Sequence, residues 1–424
     1  MKSTLMKDLL WGNSVALAWT WGYGTYLSIQ IALAFGLYGL LIFCIPNAIG
    51  LALFGVLNHH LSQKLARKNI DIETYFFEKT QKYTAVFIVF QLLALSINAF
   101  CFIRYVAIPL GYSPLLFVFL LLVIPLFLIG YGRTSNIRWI HLFLGVFIFS
   151  AMIYLVAQWH MSAIKLPIDN ATVGLMNAPS IYFIGWSALT IFSLIFAPWL
   201  DIQHWQRAVQ IQKDHGNLRR SYIWGAILFF MIIFFHGCAA LYLKLQGIHF
   251  ISELFIGDQV SYRYSMVTNW ANYTVIAGTV YVSFLFFIAI GGIASSLAGF
   301  RWYLLEKTKQ DHSLKLYLLY LIGFLLAYGC ALAGLQEEAY VVTFSFFILY
   351  AYSLFWMLFD AKHDLSATVD AKNLLITSVA FFVIMLSTAS YINVFSGMVL
   401  LLLPFLMFVS VVLIICHKGK LYTS

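Results

Sequence analysis

Charged side chains are scarce. They make up 10% of the 424 residues, where a soluble domain carries about 25%, and this excludes an ordinary soluble fold. Cysteine is scarcer still. Cys44, Cys101, Cys238, Cys330 and Cys416 lie singly in or beside apolar segments, which excludes a disulfide framework and a cysteine-based metal site. They read as small apolar residues. No P-loop, HExxH, GxSxG or paired Cys/His motif occurs, so neither ATP hydrolysis nor these hydrolytic chemistries are expected. An intramembrane enzyme needs His, Asp or Glu clustered at one depth, and no such cluster is seen. Residues 1–8 run straight into a full-length apolar span without a small-residue cleavage pattern, so no signal peptide is expected.

What the chain has in abundance is apolar length: 62% hydrophobic and 18% aromatic residues. Twelve stretches are long enough to cross a bilayer as helices: 11–33, 36–57, 83–106, 113–131, 139–159, 182–200, 222–244, 271–299, 314–334, 339–359, 373–392 and 395–416. With both ends cytoplasmic, 21 of the 25 Lys and Arg residues fall on the inner side, leaving Arg104, Lys165, Lys244 and Arg263 outside. The formal charge of +9 then belongs to loops facing anionic lipid, and no nucleic acid is needed to explain it. Two long outer loops run over about 160–181 and 245–270; the second holds HFISELFIGDQ, a candidate lid helix or an interfacial loop.

The first span reads WGNSVALAWTWGYGTYLSIQIAL, with Gly22-Tyr23-Gly24-Thr25 at its middle. Each glycine weakens a helix by about 1 kcal/mol relative to alanine. The pattern admits two readings: a broken helix whose freed backbone holds an ion or solute, or small residues that let a neighbouring helix approach. Trp19, Trp21, Tyr23 and Tyr26 surround this point. In the sixth span Pro198 follows Ala197 and precedes Trp199, and proline interrupts a helix. Shifting Gly12-Asn13-Ser14 by 173 residues onto Gly185-Trp186-Ser187 places Gly24 on Ala197 and Thr25 on Pro198. Interrupted helices in corresponding positions of two halves point to a secondary-transporter site. Residues 1–159 and 160–360 then form two five-helix repeats, inverted because five is odd, and 361–424 adds two helices.

Polar residues within spans each carry a hypothesis. Ser295 and Ser296, near the inner end of the eighth span, either complete an oxygen cage for Na⁺ with carbonyls from the first break, or bond back to their own helix. Asp201, Gln203, His204, Gln206 and Arg207 follow the sixth-span break and read as an inner gate or loop anchor near the cytoplasmic boundary, with His204 also a candidate proton carrier. Gln91 and Asn98 are seven apart and share a face, to line a pathway or join helices. His236 reads as structural.

The run WTWGYGTYLSIQIALAFGLYGLLIFCIPNAIGLALFG resembles the first two core helices of the sodium/solute symporter family, within the amino acid/polyamine/cation superfamily. GGIASSLAGF resembles its eighth core helix, and APWLDIQHWQRA its sixth. The resemblance implies an all-α membrane fold with twelve transmembrane helices: a 5+5 inverted-repeat, leucine-transporter-like core plus two C-terminal helices. It implies Na⁺ held by the hydroxyls of Ser295 and Ser296 and by carbonyls near Thr20 and Tyr23. It places solute between the two breaks, at Trp21, Gly22, Gly24, Tyr26, Ala197, Pro198 and Trp199, with Gln91 on the third helix. The chain starts directly at the core, without the additional leading helix of many members, and has Gly22 where some carry Asp. The cytosine/purine permeases share the fold and usually lack the leading helix.

The expectation is a secondary active transporter of the cell inner membrane, moving a small organic solute, with Na⁺ as coupling ion and H⁺ as the alternative. Its partners are that solute and the lipid bilayer, with no nucleic acid and no obligate protein partner. The rival readings are a transporter-like sensor or receptor and a proton-coupled nucleobase-type permease.

Overall fold

The computed structural model describes residues 2–21, 23–108, 110–129, 137–161, 190–191, 193–245 and 275–308, with single positions between 318 and 358. Among the described residues the ordered elements are helical and no strand occurs. Nine α-helices follow in order among the described residues: α1 Lys2–Thr20, α2 Tyr23–Ala66, α3 Ile72–Lys79, α4 Thr84–Phe102, α5 Pro114–Ile129, α6 Ile137–Met161, α7 Ile202–Lys213, α8 Leu218–Leu245 and α9 Val275–Thr308. Five stretches are long and apolar enough to cross a membrane: Phe35–Ala66, Thr84–Ala107, Ile137–Ala157, Leu218–Tyr242 and Val275–Glu306. They correspond to the second, third, fifth, seventh and eighth expected spans, and α5 to the fourth. Residues 182–189 and 192 of the sixth span, with the Gly185-Trp186-Ser187 match, and most of the ninth to twelfth spans and of both long outer loops lie outside the described residues.

The first expected span is divided. α1 ends at Thr20, Trp21 adopts φ 46°, and α2 begins at Tyr23. A bulky residue in the left-handed region is strained by about 1–3 kcal/mol and persists only where its surroundings hold it. α2 turns again at Gly36, with φ 64° and ψ −156°. This glycine is the first residue of the second expected span, directly after the short gap where the hydropathy pattern divides the two.

α8 lies along both α1 and α2, and glycine permits the approach. A Cβ on Gly55 of α2 would meet Tyr222 Cβ at 2.1 Å. Where α1 crosses α8, Gly12 and Gly225 oppose each other: a Cβ on Gly225 would come within 2.9 Å of the Gly12 carbonyl. Small residues substitute here for the hydrophobic drive that lipid withholds between helices.

α3 is a short amphipathic helix outside the spans. Asp71 caps it, accepting from the Thr74 amide at 2.7 Å and the Thr74 hydroxyl at 2.8 Å. Burial tends to raise the Asp71 carboxyl pKa, and those hydrogen bonds outweigh burial and hold it below its ordinary value. Phe76 of α3 stacks on Trp205 of α7 with ring centroids 4.6 Å apart, and Phe77 lies 5.2 Å from the ring of Trp302 on α9. α4 is prolonged by a π-helical turn, Ile103–Ala107. It carries Tyr105, whose ring lies 5.4 Å from that of Tyr26, just past the first break.

Candidate functional site

The sixth span is interrupted as well. Ala197–Trp199 form a 3₁₀ turn, Leu200 makes a turn, and Asp201 is extended (φ −85°, ψ 110°) before α7 begins. Pro198 has no N–H to donate, which weakens any continuous helix here. The chain then restarts because Asp201 accepts from the Gln203 amide at 2.9 Å, an N-cap. Trp205 reaches back to donate to the Trp199 carbonyl at 2.8 Å, satisfying an acceptor near the break.

The two interruptions meet. Trp21 Nε1 donates to Asp201 Oδ2 at 3.2 Å, joining the strained residue of the first break to the cap of the second. Trp19 lies 5.5 Å from Trp21 and 5.1 Å from His204 by ring centroids, and Trp21 lies 5.3 Å from Phe90 of α4. Ala197, Pro198, Trp199, Trp21 and Tyr26 are all buried here. Gly24 falls in the first turn of α2, where an added Cβ would make only an ordinary contact, 3.6 Å from Ile233. Gly22 is outside the described residues, as is the side chain of Tyr23.

Arg207 is fully buried between α1, α7 and α9. Its Nε donates to the Ser14 carbonyl and the Ser14 hydroxyl, each at 3.1 Å. One terminal nitrogen donates to the Gln203 carbonyl at 2.9 Å, the other to Ser295 Oγ at 2.6 Å. The directions beyond follow from the donors available. Having accepted from Arg207, Ser14 Oγ gives its proton to His141 Nδ1, 2.8 Å away. His141 is therefore protonated at Nε2, which donates to the Gly291 carbonyl at 3.3 Å. On the other side Ser295 donates to Gln203 Oε1 in a short hydrogen bond. Gln203 Nε2 then serves Asp201 Oδ2 at 3.2 Å and Ser296 Oγ at 3.1 Å.

This arrangement revises two expectations. Asp201 and Arg207 are expected to be solvated as charges near the cytoplasmic boundary; both are fully buried in protein and are held by the partners just named. Among the described residues the Ser295 and Ser296 hydroxyls meet Arg207 and Gln203 of α7, with no bond to their own helix or to the first break. The Thr20 hydroxyl bonds back to the Ala16 carbonyl at 2.8 Å. The residues therefore do not fit Na⁺ at Ser295 and Ser296. Their oxygens are already engaged, and two unit charges about 4 Å apart repel by roughly 4 kcal/mol at an effective dielectric of 20.

Gln91 is 1% exposed, and neither end of its amide has a hydrogen-bond partner among the described residues. Asn98, seven residues on, donates to Ala94 at 2.6 Å and sits where a Cβ on Gly292 of α9 would be, its Oδ1 unpartnered. The shared face thus serves helix packing at Asn98 and leaves Gln91 open. His204 is fully buried, enclosed by Trp19, Phe54 and Tyr222, and neither ring nitrogen has a hydrogen-bond partner among the described residues. His236 bonds to the Ile232 carbonyl at 2.8 Å, a structural role. Ser14 and His141 carried no sequence-based assignment, although a polar residue within a span is itself the signal.

One end of the bundle is clamped by charge. Asp214, capping α7, accepts from Trp11 Nε1 at 3.2 Å and pairs with Arg138 of α6. Glu73 of α3 takes Lys213 at 2.6 Å and Trp302 Nε1 at 2.9 Å. Buried Asp8 faces Arg220 at 3.2 Å. These contacts gather on one face Arg138, Lys213 and Arg220, which the Lys/Arg distribution assigns to one side. Asp214→Ala removes charged hydrogen bonds each worth about 1.5–3 kcal/mol. Amide hydrogen exchange in the first half of α1 is expected to accelerate roughly tenfold or more.

The fold is leucine-transporter-like, as the resemblance implies. The chain aligns with a Na⁺-coupled sialic acid symporter in its substrate-bound outward-open state. The TM-score is 0.59 at 12% identity, over 94% of this chain and 88% of the other. It aligns with the manganese transporter of Eremococcus coleocola at TM-score 0.53 and 14% identity, over 99% of this chain and 95% of the other. No family model matches the sequence, and no curated protein matches it significantly. At these identities the likeness is one of fold.

Proposed function

We propose that this chain is a secondary carrier of a small organic solute, working by alternating access about the two helix interruptions. The observation that carries the reading is the junction of the breaks through Trp21 and Asp201, in a fold shared with carriers. Discontinuous helices expose main-chain donors and acceptors at mid-membrane, where a solute's polar groups find them. Trp21, Gly22, Gly24, Tyr26, Ala197, Pro198 and Trp199 flank that place, and Gln91 offers an unpaired amide from α4. In this reading residues 1–159 and 160–360 are inverted repeats, a geometry that lets one bundle of helices rock against another, 361–424 supply two further helices, and both termini are cytoplasmic in an inner membrane.

The sialic acid symporter binds an organic substrate and the other neighbour a metal. Among the described residues no three His, Cys, Asp or Glu side chains converge as a transition-metal site would require, so an organic cargo is the better match. Sodium coupling, implied by the resemblance, has no support at Ser295 and Ser296. Proton coupling is the second reading, favoured by Asp201, a fully buried carboxylate where the breaks meet.

The test is a thermal-shift screen of the purified protein against solute libraries, followed by uptake of the stabilising solute into proteoliposomes. Imposed Na⁺ and H⁺ gradients are compared. Uptake above that of empty vesicles, quickened by one gradient, is the expected result. Stabilisation without any uptake or exchange would make the chain a sensor.

A further inference from the structure

We infer that Arg207 is the resident cation of the site between α1, α7 and α9, standing where a sodium ion would otherwise be held. The four acceptors around its guanidinium are the Ser14 carbonyl and hydroxyl, the Gln203 carbonyl and the Ser295 hydroxyl. All are neutral oxygens, drawn from three helices. Among the described residues Arg207 forms no ion pair. A buried arginine commonly takes a carboxylate across its fork. One surrounded by carbonyl and hydroxyl dipoles is held instead as a hard metal cation is held.

The hydrogen-bond directions agree. Both chains of donors run outward from the guanidinium, through Ser14 and His141 to the Gly291 carbonyl, and through Ser295 and Gln203 to Asp201. Every dipole is oriented as a fixed positive charge at that point demands. The charge is tethered, so it joins α1 to α9 in this state without waiting for an ion to arrive. A sodium ion entering the same oxygens would have to displace Arg207, which is fully buried and would lose its four acceptors. The inference concerns ion binding and holds whether the chain moves its solute or senses it.

The test is melting of the purified full chain in NaCl and in KCl at equal ionic strength. The wild type is expected to melt at the same temperature in both. Arg207→Ala is expected to melt lower in KCl and to gain a sodium-specific rise on the order of 2–4 °C, because it leaves a set of oxygen ligands without a cation. A sodium-specific rise in the wild type that Ser295→Ala removes overturns the inference. So does Arg207→Ala that folds and ignores sodium. Where Arg207→Ala does not fold, binding of radioactive sodium to the wild type decides. Saturable binding lost in Ser295→Ala refutes the resident cation; absence of such binding supports it. Failure of vesicle uptake would count against the carrier reading and would leave these readouts unchanged.

Discussion

Gly55→Leu is expected to leave little folded protein. Even the first carbon of a side chain there would lie 2.1 Å from Tyr222 Cβ and 2.6 Å from its Cγ. Those atoms sit close to the α8 backbone and cannot swing aside, so α2 and α8 must separate. Overpacking a close-packed contact costs about 1–3 kcal/mol, and more when backbones move. The damage travels further than the contact. Tyr222 donates its hydroxyl to the His204 carbonyl at 2.7 Å, so moving α8 disturbs α7 and with it Asp201 and Arg207. Gly55→Ala is the milder member of the series and is expected to fold with a lowered midpoint. Gly24→Ala is the control: its nearest neighbour, Ile233, would stand 3.6 Å away, and the midpoint should hold. Melting of the purified variants separates the two outcomes, and an unchanged Gly55→Leu protein would refute the close crossing.

Gln91→Leu should have the opposite signature: solute response abolished, fold retained or strengthened. Burying an amide without partners costs about 1–3 kcal/mol. Leucine has similar volume and needs no partner, so its midpoint is expected to equal or exceed that of the wild type. A group kept at such a cost is explained if a solute completes its hydrogen bonds. The solute found by the thermal-shift screen should therefore stabilise the wild type and have no effect on Gln91→Leu. A marked fall in the melting midpoint of Gln91→Leu would assign Gln91 to packing instead.

Where the chain is continuous and apolar, its sequence was a sufficient guide. The spans described here match the hydropathy pattern because lipid obliges every such stretch to satisfy its own backbone. The interruption at Pro198 was legible from local chemistry, while the Gly22-Tyr23-Gly24 stretch admitted two readings, and the structure puts the first break at Trp21, with Tyr23 already in α2. The partners of the polar residues were not legible. Ser295 and Ser296 carry hydroxyls suited alike to a metal ion, to their own helix or to a neighbour's side chain, and spacing along α9 does not distinguish these. Asp201 and Arg207 follow an apolar stretch, which resembles a membrane boundary when read in one dimension. His141 drew no assignment, because its meaning comes from Ser14, 127 positions earlier.

The sequence by itself determined that this is a helical membrane protein and where its described apolar helices run, and it marked two places where a helix could fail to continue, because bilayer thickness and backbone satisfaction act on each segment alone. Only the tertiary structure decided that the failed segments meet at Trp21 and Asp201, and that a guanidinium binds Ser295, one of the hydroxyls expected to hold sodium. Burial and hydrogen-bond direction are properties of helices side by side, and α1, α7 and α9 come together only in the folded chain.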